Sequence, residues 1–164
     1  MLRVPIAHLP DGLHEEALRP DAADLDLDPD VFSGVEVDAR IDVAERRVLV
    51  AYTVRATARL ECDRTLAMYD EAVEGTHAVL FDADAGGDAE DDDVRPLAAD
   101  AVELDVTGPV RDTLLLALPL RRVSPEARDA EIPTAFGGPA EGEPADDRWA
   151  ALEALRDAGE PDTD

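Results

Sequence analysis

From Gly34 the chain alternates. Val35, Val37, Ala39, Ile41 and Val43 take every second position, with Glu36, Asp38, Arg40 and Asp42 between them. A period of two with one apolar side predicts a half-buried strand. The run AERR, Ala44 to Arg47, interrupts the pattern and predicts a hairpin turn; it carries neither Asn-Gly nor Asp-Gly, so the turn type stays open. Alternation then resumes through Val48, Val50, Tyr52, Val54, Ala56, Ala58, Leu60 and Cys62, with Arg55, Thr57, Arg59 and Glu61 on the other side. A third strand, less cleanly patterned, is expected from about Ala67 to Phe81.

The flanks read differently. Asp11 can cap a short helix that runs to Leu18 and is stopped by Pro20. The following DAADLDLDPD is acidic and expected to be exposed. Residues 82–93, DADAGGDAEDDD, form a low-complexity acidic loop. Its spacing is not that of a calcium loop, which needs a Glu at the twelfth position. Residues Ala101 to Val106 alternate as a fourth strand. Thr107 is then expected to cap a helix with Pro109 in its first turn. In that helix Val110, Leu114 and Leu118 recur at i, i+4 and i+8, with Leu115 broadening the stripe, so burial on most of its circumference is expected. Pro119 ends it. Residues 121–145 hold several Pro and Gly without a period and predict an extended segment. A last helix starts near Asp146 with Trp149, Leu152 and Leu155 on one side. Strands followed by helices predict one α+β domain over residues 1–164. Its curved antiparallel β-sheet, with closure toward a barrel left open, is covered by two or three α-helices.

Charge changes this picture. Fifteen arginines, no lysine and 40 acids give a net charge of -25. A disordered acidic chain is one reading. The periodic strands and 45% hydrophobic residues favour the other, a folded domain adapted to molar salt, where screening shortens to about 3 Å. Acidity then reports habitat rather than a cationic substrate. No apolar run reaches the length of a membrane span, and the first residues lack the layout of a secretory signal, so a cytoplasmic protein is expected. The single cysteine excludes an internal disulfide.

Three segments in fixed order carry a resemblance. They are ECDRTLAMYDEAV (Glu61 to Val73), RDTLLLALPL (Arg111 to Leu120) and DDRWAALEALRD (Asp146 to Asp157). Together they resemble the YceD family, bacterial and plastid proteins linked to accumulation of the large-subunit ribosomal RNA, over roughly residues 30 to 158. The resemblance also implies a CxxC pair at the first segment and a second Cys pair after the LALP helix, which would complete a tetrahedral zinc site. This chain departs from that pattern. Thr65 stands where the partner of Cys62 would be, and Ser124 and Arg128 stand at the second pair. One cysteine cannot hold zinc, so no metal and no cofactor are expected, and Cys62 reads as a buried structural thiol.

No catalytic signature is present: there is no P-loop, GxGxxG or GxSxG, and His8, His14 and His77 are scattered. A non-enzyme is expected. The arginines are unevenly placed. The windows Arg40 to Arg64 and Gly108 to Arg128 hold ten of the fifteen and are each net +2, against -29 for the remainder. Arg55, Arg59, Arg64, Arg111, Arg121, Arg122 and Arg128 are therefore the candidate contacts to RNA phosphate or a partner protein. Ion pairing with nearby acids explains the same residues as ordinary surface. Trp149 reads as packing rather than base stacking. What the resemblance implies is a ribosome-biogenesis factor whose partner is the large-subunit ribosomal RNA precursor or a ribosomal protein, with no membrane or DNA contact. The competing reading is an acidic adaptor or chaperone for a basic protein, free of nucleic acid.

Overall fold

A computed structural model describes residues 1–85, 93–128 and 130. The predicted helix starting near Asp146, Trp149, most of the acidic loop and the segment beyond 130 lie outside the described residues.

The alternating segments form the framework. Strands β1 (Arg3–Pro5), β2 (Gly12–Leu18), β3 (Phe32–Ala44), β4 (Arg47–Glu61), β5 (Met68–Asp82), β6 (Val94–Pro96) and β7 (Glu103–Asp105) make two sheets. The larger has the order β2-β3-β4-β5-β6, and the smaller pairs β1 with β7. β2 to β5 are antiparallel neighbours, whereas β6 runs parallel to the end of β5. The sheet is open at β2 and β6; it does not close into a barrel. The hairpin between β3 and β4 has the two-residue loop expected at AERR, with Ala44 opposite Arg47. Neither loop residue has a positive φ, so the turn is not of the primed types.

One face of the large sheet packs and the other meets solvent, the usual economy of an antiparallel sheet. Val37, Ile41, Val50, Val54 and Val79 are almost fully buried on the inner face. Over them lie the small sheet through Val4 and Leu104, a 3-10 turn at Ala22–Leu25, and α1 (Thr107–Leu116) through Val110 and Leu114. A second helix, α2 (Pro125–Arg128), is a single turn. Among the described residues helix cover is thus sparse. α1 itself is buried on one side only, through Thr107, Pro109, Val110 and Leu114, while Leu116 is 86% exposed.

Two local readings are corrected. Residues 12–18 are an edge strand, not a helix. Gly12 has φ 122°, outside helical space, and every residue from Gly12 to Leu18 is in register with β3. A long partner edge outweighs the Asp11 and Pro20 signals. Thr107 does not cap α1 either. Its N–H donates to Asp105 Oδ1 at 2.9 Å, and its hydroxyl accepts the Leu2 N–H at 2.8 Å, tying the N-terminal strand to the helix start.

Tyr52 links the sheet to α1. Thr113 donates its hydroxyl proton to Pro109 O at 2.8 Å, so the Tyr52 hydroxyl, 3.0 Å away, must be the donor to Thr113. Burial pushes the Tyr52 phenol up to about 12.

Candidate partner-contact site

At the far end of the β4–β5 hairpin the first of the resembling segments meets the chain that follows the second. β4 and β5 pair up to Glu61 and Met68, and the chain between them makes a tight turn. Leu66 takes φ 58°, its N–H donates to Cys62 O at 2.9 Å, and the Cys62 N–H donates to Ala67 O at 2.9 Å. The chain leaving α1 comes back to this turn. The Asp63 N–H donates to Arg122 O at 2.7 Å, and the Arg122 N–H donates to Asp63 Oδ2 at 2.8 Å. Arg64 Nη1 donates to Ala127 O at 2.5 Å. Cys62, Val123 and Ala127 form a small buried cluster of their own, with Tyr69 against it. Residues 121–128 are therefore anchored to the hairpin, with α2 inside them, rather than extended as expected.

This knuckle gathers part of the candidate arginine set. Arg64, Arg122 and Arg128 belong to it, and Arg121 is exposed beside it. Arg128 donates to Val123 O at 3.4 Å and lies 3.6 Å from Glu71. Arg59 sits on the outer face of β4 just before the turn, in register with Asp70. Arg59, Arg121 and Arg122 make no side-chain ion pair among the described residues. Beside these five arginines stand five acids, Glu61, Asp63, Asp70, Glu71 and Glu126, so among the described residues this end is locally neutral, in a chain of net charge -25.

Two candidates lie apart. Arg55 is farther along the outer face, between Asp38 at 2.7 Å and Glu74 at 2.5 Å; the hydrogen bonds it donates to those carboxylates, Glu74 first, raise its pKa further. Arg111 is on α1 and pairs with its neighbour Asp112 at 2.9 Å. Both are committed to acids and present little free charge.

Cys62 has no solvent exposure, as expected of a structural thiol. Its pKa is nonetheless pushed down to about 6. The hydrogen bond from the Ser124 N–H contributes most, the Thr65 hydroxyl next, and the Arg64 and Thr65 N–H groups add to them; burial opposes. The Ser124 N–H reaches Sγ at 3.4 Å, and the Ser124 side chain, also buried, accepts the Ala127 N–H at 3.3 Å. The Cys62 turn and the segment 121–128 are thus joined at this sulfur by the Ser124 N–H. The donor set does not fit zinc, because the groups converging on Cys62 are an amide and a hydroxyl rather than three more thiolates or imidazoles. Among the described residues no group of three His, Cys, Asp or Glu is placed to hold a metal. Protein purified without chelators is expected to carry no stoichiometric zinc by elemental analysis. One equivalent of zinc would show that Cys62 has ligands beyond these loops.

Of the three histidines, His14 Nε2 is 2.7 Å from Pro10 O and His77 pairs with Asp93 at 2.9 Å. Sequence reasoning passed over Arg95, in β6, which lines a cleft with His77. It sits in the strongly acidic remainder, where counting charge by window gave no signal for it. No helix among the described residues is long and apolar enough to cross a membrane.

Compared with known proteins, the chain matches the family described as large ribosomal RNA subunit accumulation protein YceD over residues 50–156. The match takes in the hairpin turn, α1 and the returning segment 121–128. No curated protein and no solved structure matches the chain. With well over half of its 164 residues matched, this chain belongs to the YceD family.

Proposed function

We propose that the chain is a non-enzymatic, cytoplasmic ribosome-biogenesis factor of a high-salt cell. It supports accumulation or processing of the large-subunit ribosomal RNA by binding that RNA or a ribosomal protein, with no part for membrane or DNA. The family supplies the role in large-subunit ribosomal RNA accumulation. The observation that carries the binding reading is the knuckle: Cys62, Val123 and Ala127 bury together and leave Arg121, Arg122 and Arg128 exposed at the locally neutral end of an acidic body. An anionic backbone meets less repulsion there than elsewhere, and guanidinium forks suit phosphate.

Replacing Arg121, Arg122 and Arg128 together by Gln is expected to leave the fold intact. Only Arg128 makes an ion pair, and exposed pairs contribute about 0 to 1 kcal/mol each. Co-sedimentation with large-subunit precursors should weaken, partially rather than completely, since high salt already attenuates phosphate contacts. Unchanged co-sedimentation moves the contact to the outer face bearing Arg55 and Arg59. If substitutions there are silent too, the adaptor reading stands instead. That reading is favoured by the pairing of Arg55 with Asp38 and Glu74, which leaves the outer face with more acid than base for a cationic protein to meet.

A further inference from the structure

One open edge of the large sheet is β2, and the phase of the hydrogen-bond ladder fixes which of its groups point outward. At one end of β4 the Ala83 N–H donates to Arg46 O, and at the other the Cys62 N–H donates to Ala67 O, both at 2.9 Å. Even-numbered positions along β4 therefore bond toward β5. Odd-numbered ones bond toward β3, as the Arg59 N–H does to Val31 O at 2.8 Å. Opposite those odd positions stand Glu36, Asp38, Arg40, Asp42 and Ala44 of β3. Val37, Ala39, Ile41 and Val43 are left to bond β2, where they face Leu18, Glu16, His14 and Gly12. The N–H and C=O groups of Leu13, Glu15 and Ala17 thus point away from the sheet. Among the described residues nothing pairs with them.

Such an edge is a template for another strand, and its side chains decide which strand. Leu13 is 60% exposed on the outer face, an apolar contact beside the open ladder. Glu16 lies on the inner face, half-buried and in register with the buried Ala39. Glu15 is held by Arg40 at 3.3 Å, but Asp11, Glu16 and Asp42 make no ion pair among the described residues. A second copy laid antiparallel along all seven residues of β2 would set Glu15 against its own twin, and like charges directly opposite are destabilising. A cation opposite Glu16 is favoured by the same rule. In molar salt, where charge acts over only about 3 Å, a contact must also be short-ranged, and backbone hydrogen bonds are.

We propose that β2 takes an added strand from an extended, Lys- or Arg-rich segment of a partner protein. Leu13, Glu15 and Ala17 supply the backbone pairing, and Glu16 with Asp42 selects the positive charge. The proposal deepens the protein-partner arm of the functional reading and rests on it, though not on the knuckle.

The test uses the full chain at constant high KCl and a synthetic peptide as long as β2, alternating Lys and Thr, with a Glu and Thr peptide as control. Amide exchange is followed by NMR. The basic peptide should slow exchange at Leu13, Glu15 and Ala17, while His14 and Glu16, already bonded to β3, change little. Adsorption by charge alone would not produce that alternation. Ala17→Pro removes an outward donor without touching the β3 ladder, so it should fold normally and lower peptide affinity by roughly tenfold. Glu16→Lys should lower it by roughly three- to tenfold and bring in the acidic peptide. The triple Gln variant of the knuckle should bind the basic peptide as the wild type does. The proposal is overturned if the three amides are not protected, if both β2 variants bind like the wild type, or if the acidic peptide protects wild-type β2 equally. It is also overturned if those amides are protected in the wild type without peptide, which assigns the edge to a second copy, or if a single-stranded RNA protects them instead. Should the peptide fail while the wild type still co-sediments with large-subunit precursors, the edge is excluded and the functional reading stands.

Discussion

Replacing Gly75 by alanine should destabilise the domain by roughly 1 to 3 kcal/mol, the range for overpacking a filled interface. Gly75 is where β5 passes under α1. A Cβ there would stand 2.5 Å from Thr113 Cγ2 and 3.2 Å from Thr113 O. The methyl cannot swing away freely, because the Thr113 hydroxyl on the same carbon is held by Pro109 O and Tyr52. Relief must come from lifting α1, which would also disturb Leu114, buried in the core, and the chain that leads on to the knuckle. Thr113→Ser removes Cγ2 and keeps the hydroxyl. Added to Gly75→Ala, it should therefore restore most of the lost stability, although alone it should be neutral to mildly destabilising. Urea unfolding at constant high salt measures all four corners of this cycle. Additive losses would show that Gly75 is not the contact point between sheet and helix.

How much of this was legible in advance follows from how local each signal is. β3, β4 and β5 announce themselves because a long strand with one wet face must alternate, and Val35 to Phe81 does. β1 and β6 have three residues each, too few to show a period, and β1 is defined only by its pairing with β7, about a hundred positions on. β2 was misread because Asp11 and Pro20 are local helix punctuation, whereas its strand character comes from the edge of β3. Leu115 widened the apparent stripe of α1, yet the helix lies against the sheet with Leu115 and Leu116 outward.

The candidate site divides in the same way. Arg121, Arg122 and Arg128 could be found by counting charge. Their attachment to the Cys62 turn depends on backbone hydrogen bonds between residues some sixty positions apart, which no spacing rule encodes. Arg55 and Arg111 were picked by the same count, and the structure places acids on both.

The largest effect is expected from salt. Transfer from molar KCl to about 0.01 M lengthens the screening distance from roughly 3 Å to 30 Å, longer than the separation of neighbouring surface charges. Two opposing terms then grow. The exposed pairs strengthen, among them Arg19 with Glu36, Arg40 with Glu15 and Arg46 with Asp84, but each contributes only about 0 to 1 kcal/mol. Repulsion grows among the surplus acids, which exceed all arginines by 25. Pairing is limited by the number of arginines, while repulsion acts among every unpaired carboxylate, so repulsion decides the sign. Stability should therefore fall steeply as KCl is removed, enough to unfold a domain whose total margin is of the usual 5 to 15 kcal/mol order. Adding acid to the low-salt sample should first restore structure, because protonating the surplus carboxylates removes the same repulsion. Melting curves across a KCl series check the first outcome, and circular dichroism during acid titration checks the second. A Tm independent of KCl would mean that the surplus charge is already neutralised by something bound, and the acidity would then have to be explained by function rather than by habitat.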